Sequence, residues 1–167
     1  MLAGFSVLLP LLATTAVAQF LSPFPDGYFY IRNNASGTVL DVYENSKKDD
    51  ASVVGYELKK TGPDNQLWKY EAPGFLVNKN SELLLEVFVL DTPIPGRPLI
   101  QAPKLTMVNQ LWTYDSSTKQ LRLSGDPTIC VIISKDQFTD RKPILPKAMT
   151  ALCIPRNEDQ KWDFVKA

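Results

Sequence analysis

The chain contains no histidine among its 167 residues. Histidine is the side chain whose unperturbed pKa lies nearest to neutral pH, and most hydrolase triads and many catalytic metal sites depend on it. An enzymatic function is therefore disfavoured, and we expect no catalytic residue, no metal and no other cofactor. Carboxylates such as Glu44, Glu57 and Glu158 are present, but no spacing singles out an acid/base pair.

The chain also lacks an excess of charge of either sign. It has 18 basic and 18 acidic side chains, and no basic block is longer than the pairs Lys47-Lys48 and Lys59-Lys60. Proteins that bind nucleic acid or anionic membranes usually present a basic patch. We therefore expect neither of these as a partner.

Long apolar runs are missing except at the start of the chain. Residues 2–13 are mostly apolar, and the Ala-Val-Ala sequence at residues 16–18 is typical of a signal-peptidase site. The run is shorter than the roughly 20 residues that a membrane-spanning helix needs. We expect a signal peptide at residues 1–18, cleavage before Gln19 and secretion to the extracellular space; a membrane anchor is the alternative.

Cysteine is scarce, with only Cys130 and Cys153 in the chain. Disulfides are common in exported proteins, so a disulfide between these residues is favoured over two separately buried thiols. The spacing of the two cysteines matches no zinc motif.

The chain has one acceptor sequence for N-glycosylation, Asn34-Ala35-Ser36, in a turn that contains glycine. A surface turn is accessible to the glycosylating enzyme, so we expect Asn34 to be glycosylated if a eukaryotic cell exports the protein. The alternative is that these are simply turn residues.

The three tryptophans of the chain all lie in Gln-x-Trp triplets. An aromatic residue follows each Trp two positions later, and Asn precedes two of the triplets. Such self-similarity is typical of a repeat architecture. The triplets are Gln66-Leu67-Trp68, Gln110-Leu111-Trp112 and Gln160-Lys161-Trp162.

Short apolar runs separated by turn-forming residues recur four times in each repeat. Runs of this kind are typical of strands, and the 13 prolines of the chain disfavour long helices. The pattern predicts a closed all-β fold of twelve strands with pseudo-threefold symmetry. We expect an N-terminal extension at residues 19–26 and one domain at residues 27–167, with repeats at about 27–71, 72–116 and 117–165.

The triplets, each preceded by a Leu-Asp-Val-like segment, resemble those of the ricin B-chain type (R-type) lectin domain, and the layout resembles small fungal members of that family. The resemblance covers Gly27 to Val165 and implies a β-trefoil in which each repeat can hold one sugar site. In that family an Asp of the Leu-Asp-Val segment, an aromatic on the following hairpin and the Asn-Gln before the Trp form the site. The first repeat has the complete set, Asp41, Tyr56, Asn65 and Gln66.

These residue types suit the chemistry of a pyranose. The C–H face of the sugar can lie on an aromatic ring, and a short carboxylate can accept from two neighbouring hydroxyls. Each residue also has a simpler interpretation, with Asp41 as a solvated carboxylate, Tyr56 as a half-buried strand aromatic and Asn65 as a turn residue. Their joint occurrence at the family's positions favours a sugar site.

The second repeat keeps only part of the set. Glu86 replaces the Asp and Gln101 stands at the expected aromatic position, while Asn109 and Gln110 are retained. We therefore expect at most a weaker second site there.

The third repeat departs further from the pattern. Cys130 stands at the expected acid position, Pro146 lies near the expected aromatic position, and Asp159 replaces the Asn. This repeat is expected to have a structural role, with the disulfide as a staple.

The resemblance implies a lectin that binds glycans or glycoproteins, and galactose or N-acetylgalactosamine is the family's common sugar. We expect the protein to be a monomer. A β-trefoil protease inhibitor that presents the proline-rich loop from Asp91 to Pro98 is one alternative. The Asn-Gln pairs argue against it, because an inhibitor does not need them. A ricin-like toxin component is the other alternative.

Overall fold

The computed structural model describes residues 22–88, 95–105, 107–134 and 145–167, so the expected signal peptide and its cleavage site lie outside the described residues. The described residues form twelve strands and four single turns of 3₁₀ helix, as the repeat pattern predicted. None of these helical turns is long and apolar enough to cross a membrane. The strands are β1 Tyr28–Asn33, β2 Val39–Val42, β3 Val53–Tyr56, β4 Trp68–Glu71, β5 Phe75–Asn78, β6 Leu84–Val87, β7 Leu99–Ala102, β8 Trp112–Asp115, β9 Gln120–Leu123, β10 Asp126–Ile133, β11 Ala148–Leu152 and β12 Trp162–Lys166.

Six strands, two from each repeat, form a closed antiparallel barrel. β1 pairs with β4 and β12, β4 pairs with β5, and β8 pairs with β9. The backbone N–H of Trp112 donates to Gly74 O at 2.8 Å and joins β8 to the residue before β5. A bridge between Gln120 and Lys161 joins β9 to β12, so the ring leaves no open edge.

The other six strands form three hairpins, β2–β3, β6–β7 and β10–β11, one in each repeat. Isolated bridges connect each hairpin with the other two: Ser52–Ile100, Val54–Lys147 and Pro98–Met149. A six-stranded barrel with three such hairpins is a β-trefoil, and the fold expected from the resemblance is confirmed.

Each tryptophan fills the core and also fixes a hairpin strand. Trp68, Trp112 and Trp162 are at most 1% exposed, and each indole N–H donates to a backbone carbonyl of its own repeat. The pairs are Trp68 Nε1 with Leu40 O at 3.1 Å, Trp112 Nε1 with Leu85 O at 2.9 Å, and Trp162 Nε1 with Val131 O at 3.0 Å. The residue that follows each acceptor is thereby held at an equivalent place in the three repeats.

Phe24 packs among the three repeats, although it lies in the segment expected to precede the domain. Its ring stacks on Tyr70 with the centroids 4.8 Å apart, and it lies 5.2 Å from Phe164 and 6.3 Å from Tyr114. These three aromatics are the ones that follow the tryptophans by two positions. Phe24 is therefore part of the core that holds the barrel together.

Cys130 and Cys153 form a disulfide, as the sequence predicted, and it connects β10 to the residue after β11. The bridge closes a loop across a sequence separation of 23 residues. Closing a loop of this length lowers the entropy of the unfolded chain and stabilises by about 3 kcal/mol in the chain-entropy model. We expect the double variant Cys130→Ala/Cys153→Ala to lose about this much free energy of unfolding in chemical denaturation. A double variant as stable as the wild-type protein would contradict the expectation.

Candidate functional site

Asp41 is buried in β2, next to the residue whose carbonyl Trp68 holds. Its side chain is only 3% exposed, and three neighbours donate to the carboxylate. Asn65 Nδ2 lies 2.8 Å from Oδ1, while Gln66 Nε2 at 2.9 Å and Lys59 Nζ at 3.0 Å contact Oδ2. The interpretation of Asp41 as an ordinary solvated carboxylate is therefore wrong.

The amides of Asn65 and Gln66 are held in place by backbone groups as well as by Asp41. Both residues are buried in the 3₁₀ turn that precedes β4. Asn65 Nδ2 also donates to Val42 O at 2.7 Å, and Gln66 Nε2 also donates to Glu57 O at 2.8 Å. Because each amide has a second, backbone acceptor, its orientation does not depend on the carboxylate alone.

Lys59 belongs to this cluster, and the sequence interpretation missed it. Its ammonium contacts Asp41 and also donates to Asn65 Oδ1 at 2.9 Å, while the Lys59 side chain remains 24% exposed. The same ammonium lies 5.5 Å from the centroid of the Tyr56 ring. The signal that could have found Lys59 is its place three residues after Tyr56, where the other two repeats have Leu105 and Ile154.

Tyr56 forms an open wall of the cluster. It ends β3 and is 39% exposed, in contrast to the buried amides and carboxylate. An exposed ring beside buried polar groups offers an apolar face and fixed hydrogen-bonding atoms to the same ligand.

The environment of Asp41 has opposing effects on its ionisation. Burial raises the pKa of Asp41 above its ordinary value of 3.8, although hydrogen bonds and the charge of Lys59 oppose the rise. The carboxylate is therefore poorly solvated, and Lys59 is the one described cation that pairs with it.

The glutamines of the three triplets make equivalent contacts. These contacts define which residues of the three repeats occupy equivalent positions. Each Gln side chain accepts from the N–H of one loop residue and donates to the carbonyl two residues before it. The N–H donors are Lys59 for Gln66 at 3.0 Å, Leu105 for Gln110 at 2.9 Å, and Ile154 for Gln160 at 2.6 Å. The aromatic position three residues before each donor is thus Tyr56, Ala102 and Ala151.

The position expected for Gln101 is wrong by one residue, because Ala102 corresponds to Tyr56. The Gln101 amide donates to Ser46 O at 3.0 Å and to Lys48 O at 2.7 Å, and its oxygen accepts from Ser81 Oγ at 2.7 Å. Gln101 therefore holds the loop of the first repeat and does not face the second-repeat site. All four residues of β7 are buried, so the strand has no alternation of buried and exposed side chains that would have indicated which residue faces the site.

The remaining members of the second-repeat set do lie together. Gln110 Nε2 donates to Glu86 Oε2 at 2.6 Å, which matches the contact of Gln66 with Asp41. Asn109 Nδ2 donates to Val87 O at 3.1 Å, which matches the contact of Asn65 with Val42. This repeat has no aromatic wall and no lysine at the corresponding positions.

The third repeat has an apolar residue at the acid position. That residue is Ile132, because Trp162 donates to the carbonyl of Val131, the residue before it. The acid position expected at Cys130 is therefore wrong by two residues. The aromatic position expected near Pro146 is also wrong, because Ala151 corresponds to Tyr56. The pairing of β9 with β10 shifts register between Asp126 and Cys130, which displaced the count along the sequence. A groove of about 420 Å³ lies at this position, lined in part by Ile132, Ala151 and Ile154.

Asn34 lies exposed in the turn between β1 and β2. Its N–H donates to Lys161 O at 2.9 Å, and the neighbouring Asn33 Nδ2 donates to Asp159 O at 2.8 Å. The turn therefore packs on the third repeat, so a glycan on Asn34 would be attached beside the third-repeat position.

The loop considered for protease inhibition is described only from residue 95 onward. There the Gly96 N–H donates to Thr150 O at 2.7 Å, and the Arg97 N–H donates to Thr150 Oγ1 at 2.9 Å. Gly96 and Arg97 are therefore hydrogen-bonded to β11.

Comparison with known proteins agrees with the fold. The family model of the ricin-type β-trefoil lectin domain matches residues 27–162. Mucoricin from Rhizopus delemar is 42% identical over 53 residues, which are 32% of this chain and 35% of mucoricin. The chain covers less than half the length of the curated relatives it matches.

Two solved structures show the same fold. The solution structure of the mdaA-1 domain has 28% identity and a TM-score of 0.74, over 86% of this chain and 91% of that domain. The C-half of the earthworm R-type lectin, crystallised with GalNAc, has 17% identity and a TM-score of 0.67, over 84% of this chain and 98% of that one. The family match covers most of the chain, and the protein therefore belongs to the ricin-type β-trefoil lectin family.

Proposed function

We propose that this protein is a secreted lectin without enzymatic activity, and that it binds one galactose-type sugar through its first repeat. The observation that carries the proposal is the cluster of Asp41, Asn65, Gln66 and Lys59 beside the exposed ring of Tyr56. The second and third repeats lack the aromatic and the lysine, so they do not offer the same combination.

The cluster has hydrogen-bonding capacity left for a sugar. Asp41 Oδ1 accepts from one donor and Oδ2 from two, which leaves room for a ligand hydroxyl on Oδ1. Two donors of the Lys59 ammonium are used at 3.0 Å or less, and its contact with Asn45 Oδ1 is longer, at 3.4 Å. A sugar hydroxyl can replace that weak contact, so one hydroxyl donates to Asp41 while its neighbour accepts from Lys59.

Galactose has the geometry that this arrangement needs. Its axial 4-hydroxyl leaves a continuous C–H face that can lie on Tyr56, while the 3- and 4-hydroxyls point together toward Asp41 and Lys59. The GalNAc that accompanies the earthworm lectin in its crystal structure supports the choice of a galactose-type sugar.

Calorimetric titration of the mature protein with galactose, GalNAc, glucose and mannose tests the proposal. We expect one site per chain for the galactose-type sugars, with a dissociation constant from millimolar to tens of micromolar, because a shallow polar site loses much of its gain to desolvation. A monomer with one site cannot crosslink cells. Agglutination by protein shown to be monomeric, or two equal sites per chain, would contradict it.

The variant Lys59→Met tests the role of the ammonium. We expect affinity for galactose to fall about tenfold, since a hydrogen bond to a charged group contributes roughly 1.5–3 kcal/mol. Lys119→Met, in an exposed ion pair of the third repeat, is the matched control and should bind as the wild-type protein does.

The variant Lys59→Met should also change the pH dependence of sugar affinity. Sugar binding requires the charged carboxylate, so affinity should fall as pH decreases through the raised pKa of Asp41. Without Lys59 the pKa of Asp41 rises further, and the loss of affinity should therefore begin at a higher pH than in the wild-type protein. Unchanged affinity and an unchanged pH profile would remove Lys59 from the site.

Secretion is part of the proposal and rests on the sequence of residues 1–18. Cleavage before Gln19 would keep Phe24 in the mature chain. In protein secreted by a eukaryotic host, mass spectrometry should show this new N-terminus and a glycan at Asn34, and unmodified Asn34 would contradict the second expectation.

A further inference from the structure

The second repeat has one buried acceptor oxygen that no group of the described residues satisfies. Gln110 donates to Glu86 Oε2 at 2.6 Å, and the Asn109 amide also lies close enough to Glu86 to lower its pKa. Asn109 is only 4% exposed, and its Oδ1 atom is buried without a hydrogen-bond partner. An unpaired buried oxygen is unfavourable and uncommon in folded proteins.

The first repeat shows which group this acceptor fits. There the Lys59 ammonium donates to Asn65 Oδ1 at 2.9 Å and lies 3.0 Å from the carboxylate of Asp41. Asn109 has the same orientation as Asn65, since its amide nitrogen donates to the corresponding carbonyl. Leu105 stands in place of Lys59 and is 57% exposed, so the donor is missing between Glu86 and Asn109.

The surrounding charge also favours a cation. Burial raises the pKa of Glu86, hydrogen bonds from Gln110 and Asn109 oppose the rise, and repulsion by Asp49 and Asp50 adds to it. Among the described residues no ion pair involves Glu86. The Asp50 N–H donates to Gln101 O at 3.0 Å, so the turn that contains Asp49 and Asp50 packs against β7. A ligand ammonium would offset this concentration of negative charge.

We propose that the second repeat binds a sugar with a free amino group, a hexosamine that is not N-acetylated. The ammonium takes the place that Lys59 Nζ has in the first repeat, between Glu86 and Asn109 Oδ1. A hydroxyl on the adjacent carbon of the sugar donates to the second oxygen of Glu86, and the small Ala102 leaves space for the ring. This inference goes beyond the proposed function, which concerns the first repeat.

An NMR titration of the mature protein with methyl glycosides of glucosamine and galactosamine tests the inference. The side-chain amide signals of Asn109 and Gln110 report on the second repeat, and those of Asn65 and Gln66 report on the first. We expect either amino sugar to shift the Asn109 and Gln110 signals, and the N-acetylated glycosides to bind there at least about tenfold more weakly, since acetylation removes the charge.

Leu105→Lys is the decisive variant, because it supplies an internal ammonium to the same two acceptors. We expect amino-sugar affinity at the second repeat to fall at least about tenfold. Ile154→Lys makes the same change in the third repeat, where Ile132 replaces the acid, and should leave that affinity within about twofold. Glu86→Gln should also lose the binding, and thermal unfolding of each variant checks that it is folded.

Several results would overturn the inference. They are a lack of shifts at Asn109 and Gln110 with either amino sugar, equal binding of the N-acetylated sugars, and unchanged binding in a folded Leu105→Lys protein. Lysine amide that bound as tightly as the amino sugars would overturn the assignment to a sugar. A galactose titration followed at Asn65 and Gln66 tests the first repeat separately, so failure of one site is distinguishable from failure of the other.

Discussion

The variant Asp41→Ala is expected to bind galactose at least about tenfold more weakly than the wild-type protein. The carboxylate is the acceptor for the sugar hydroxyls, and loss of a charge-assisted hydrogen bond corresponds to roughly 1.5–3 kcal/mol. The variant should remain folded, because the amides of Asn65 and Gln66 keep their bonds to Val42 O and Glu57 O. Calorimetry gives the affinity, and thermal unfolding checks the fold.

A carboxylate outside the cluster provides the control. Asp64 precedes Asn65, its side chain is 53% exposed, and it pairs with Lys79 rather than with a member of the cluster. Asp64→Ala removes the same charge close to the site and should leave galactose affinity unchanged. Equal losses in the two variants would mean that net charge, and not the Asp41 contact, determines binding.

The variant Phe24→Ala is expected to lose about 3–5 kcal/mol of unfolding free energy, the usual range for truncating a buried phenylalanine. Phe24 is 5% exposed and contacts one aromatic of each repeat, so its removal leaves a cavity where the three repeats meet. Chemical denaturation measures the change, and galactose affinity of the folded variant should be unaffected.

Phe88 is the matched control for this substitution, since it is 40% exposed. Phe88→Ala should lose clearly less stability than Phe24→Ala, because the Phe88 side chain remains partly in contact with water in the folded protein. A Phe24→Ala protein as stable as the Phe88→Ala protein would show that residues before the first strand do not belong to the folded core.

The fold was predictable because each repeat carries its own signal. The triplets mark both the core tryptophans and the glutamines that hold the hairpin loops, and turn residues separate the strands. The part played by Phe24 was not predictable in this way, since a single phenylalanine outside the repeats has no periodic counterpart. Its role appears only when the three aromatics converge in space.

The site residues were predictable where equal spacing along the sequence corresponds to equivalent positions in the three repeats, and they were not predictable elsewhere. Asp41, Asn65 and Gln66 meet as expected, because the Trp68 bond fixes β2 relative to the triplet. The shifted positions of Gln101 and Cys130 arise from loop lengths and a register shift that a count of residues does not show. Lys59 was missed because a lone lysine in a loop is usually a solvated charge.

The most direct test of the first-repeat site is a galactose titration followed by NMR at the side-chain amides of Gln66, Gln110 and Gln160. These three glutamines occupy equivalent positions, so each one reports on its own repeat. The proposed function predicts saturable shifts of the Gln66 amide and none at Gln110 and Gln160. Shifts at Gln110 or Gln160 with Gln66 unchanged, or no shifts at any of the three, would contradict it.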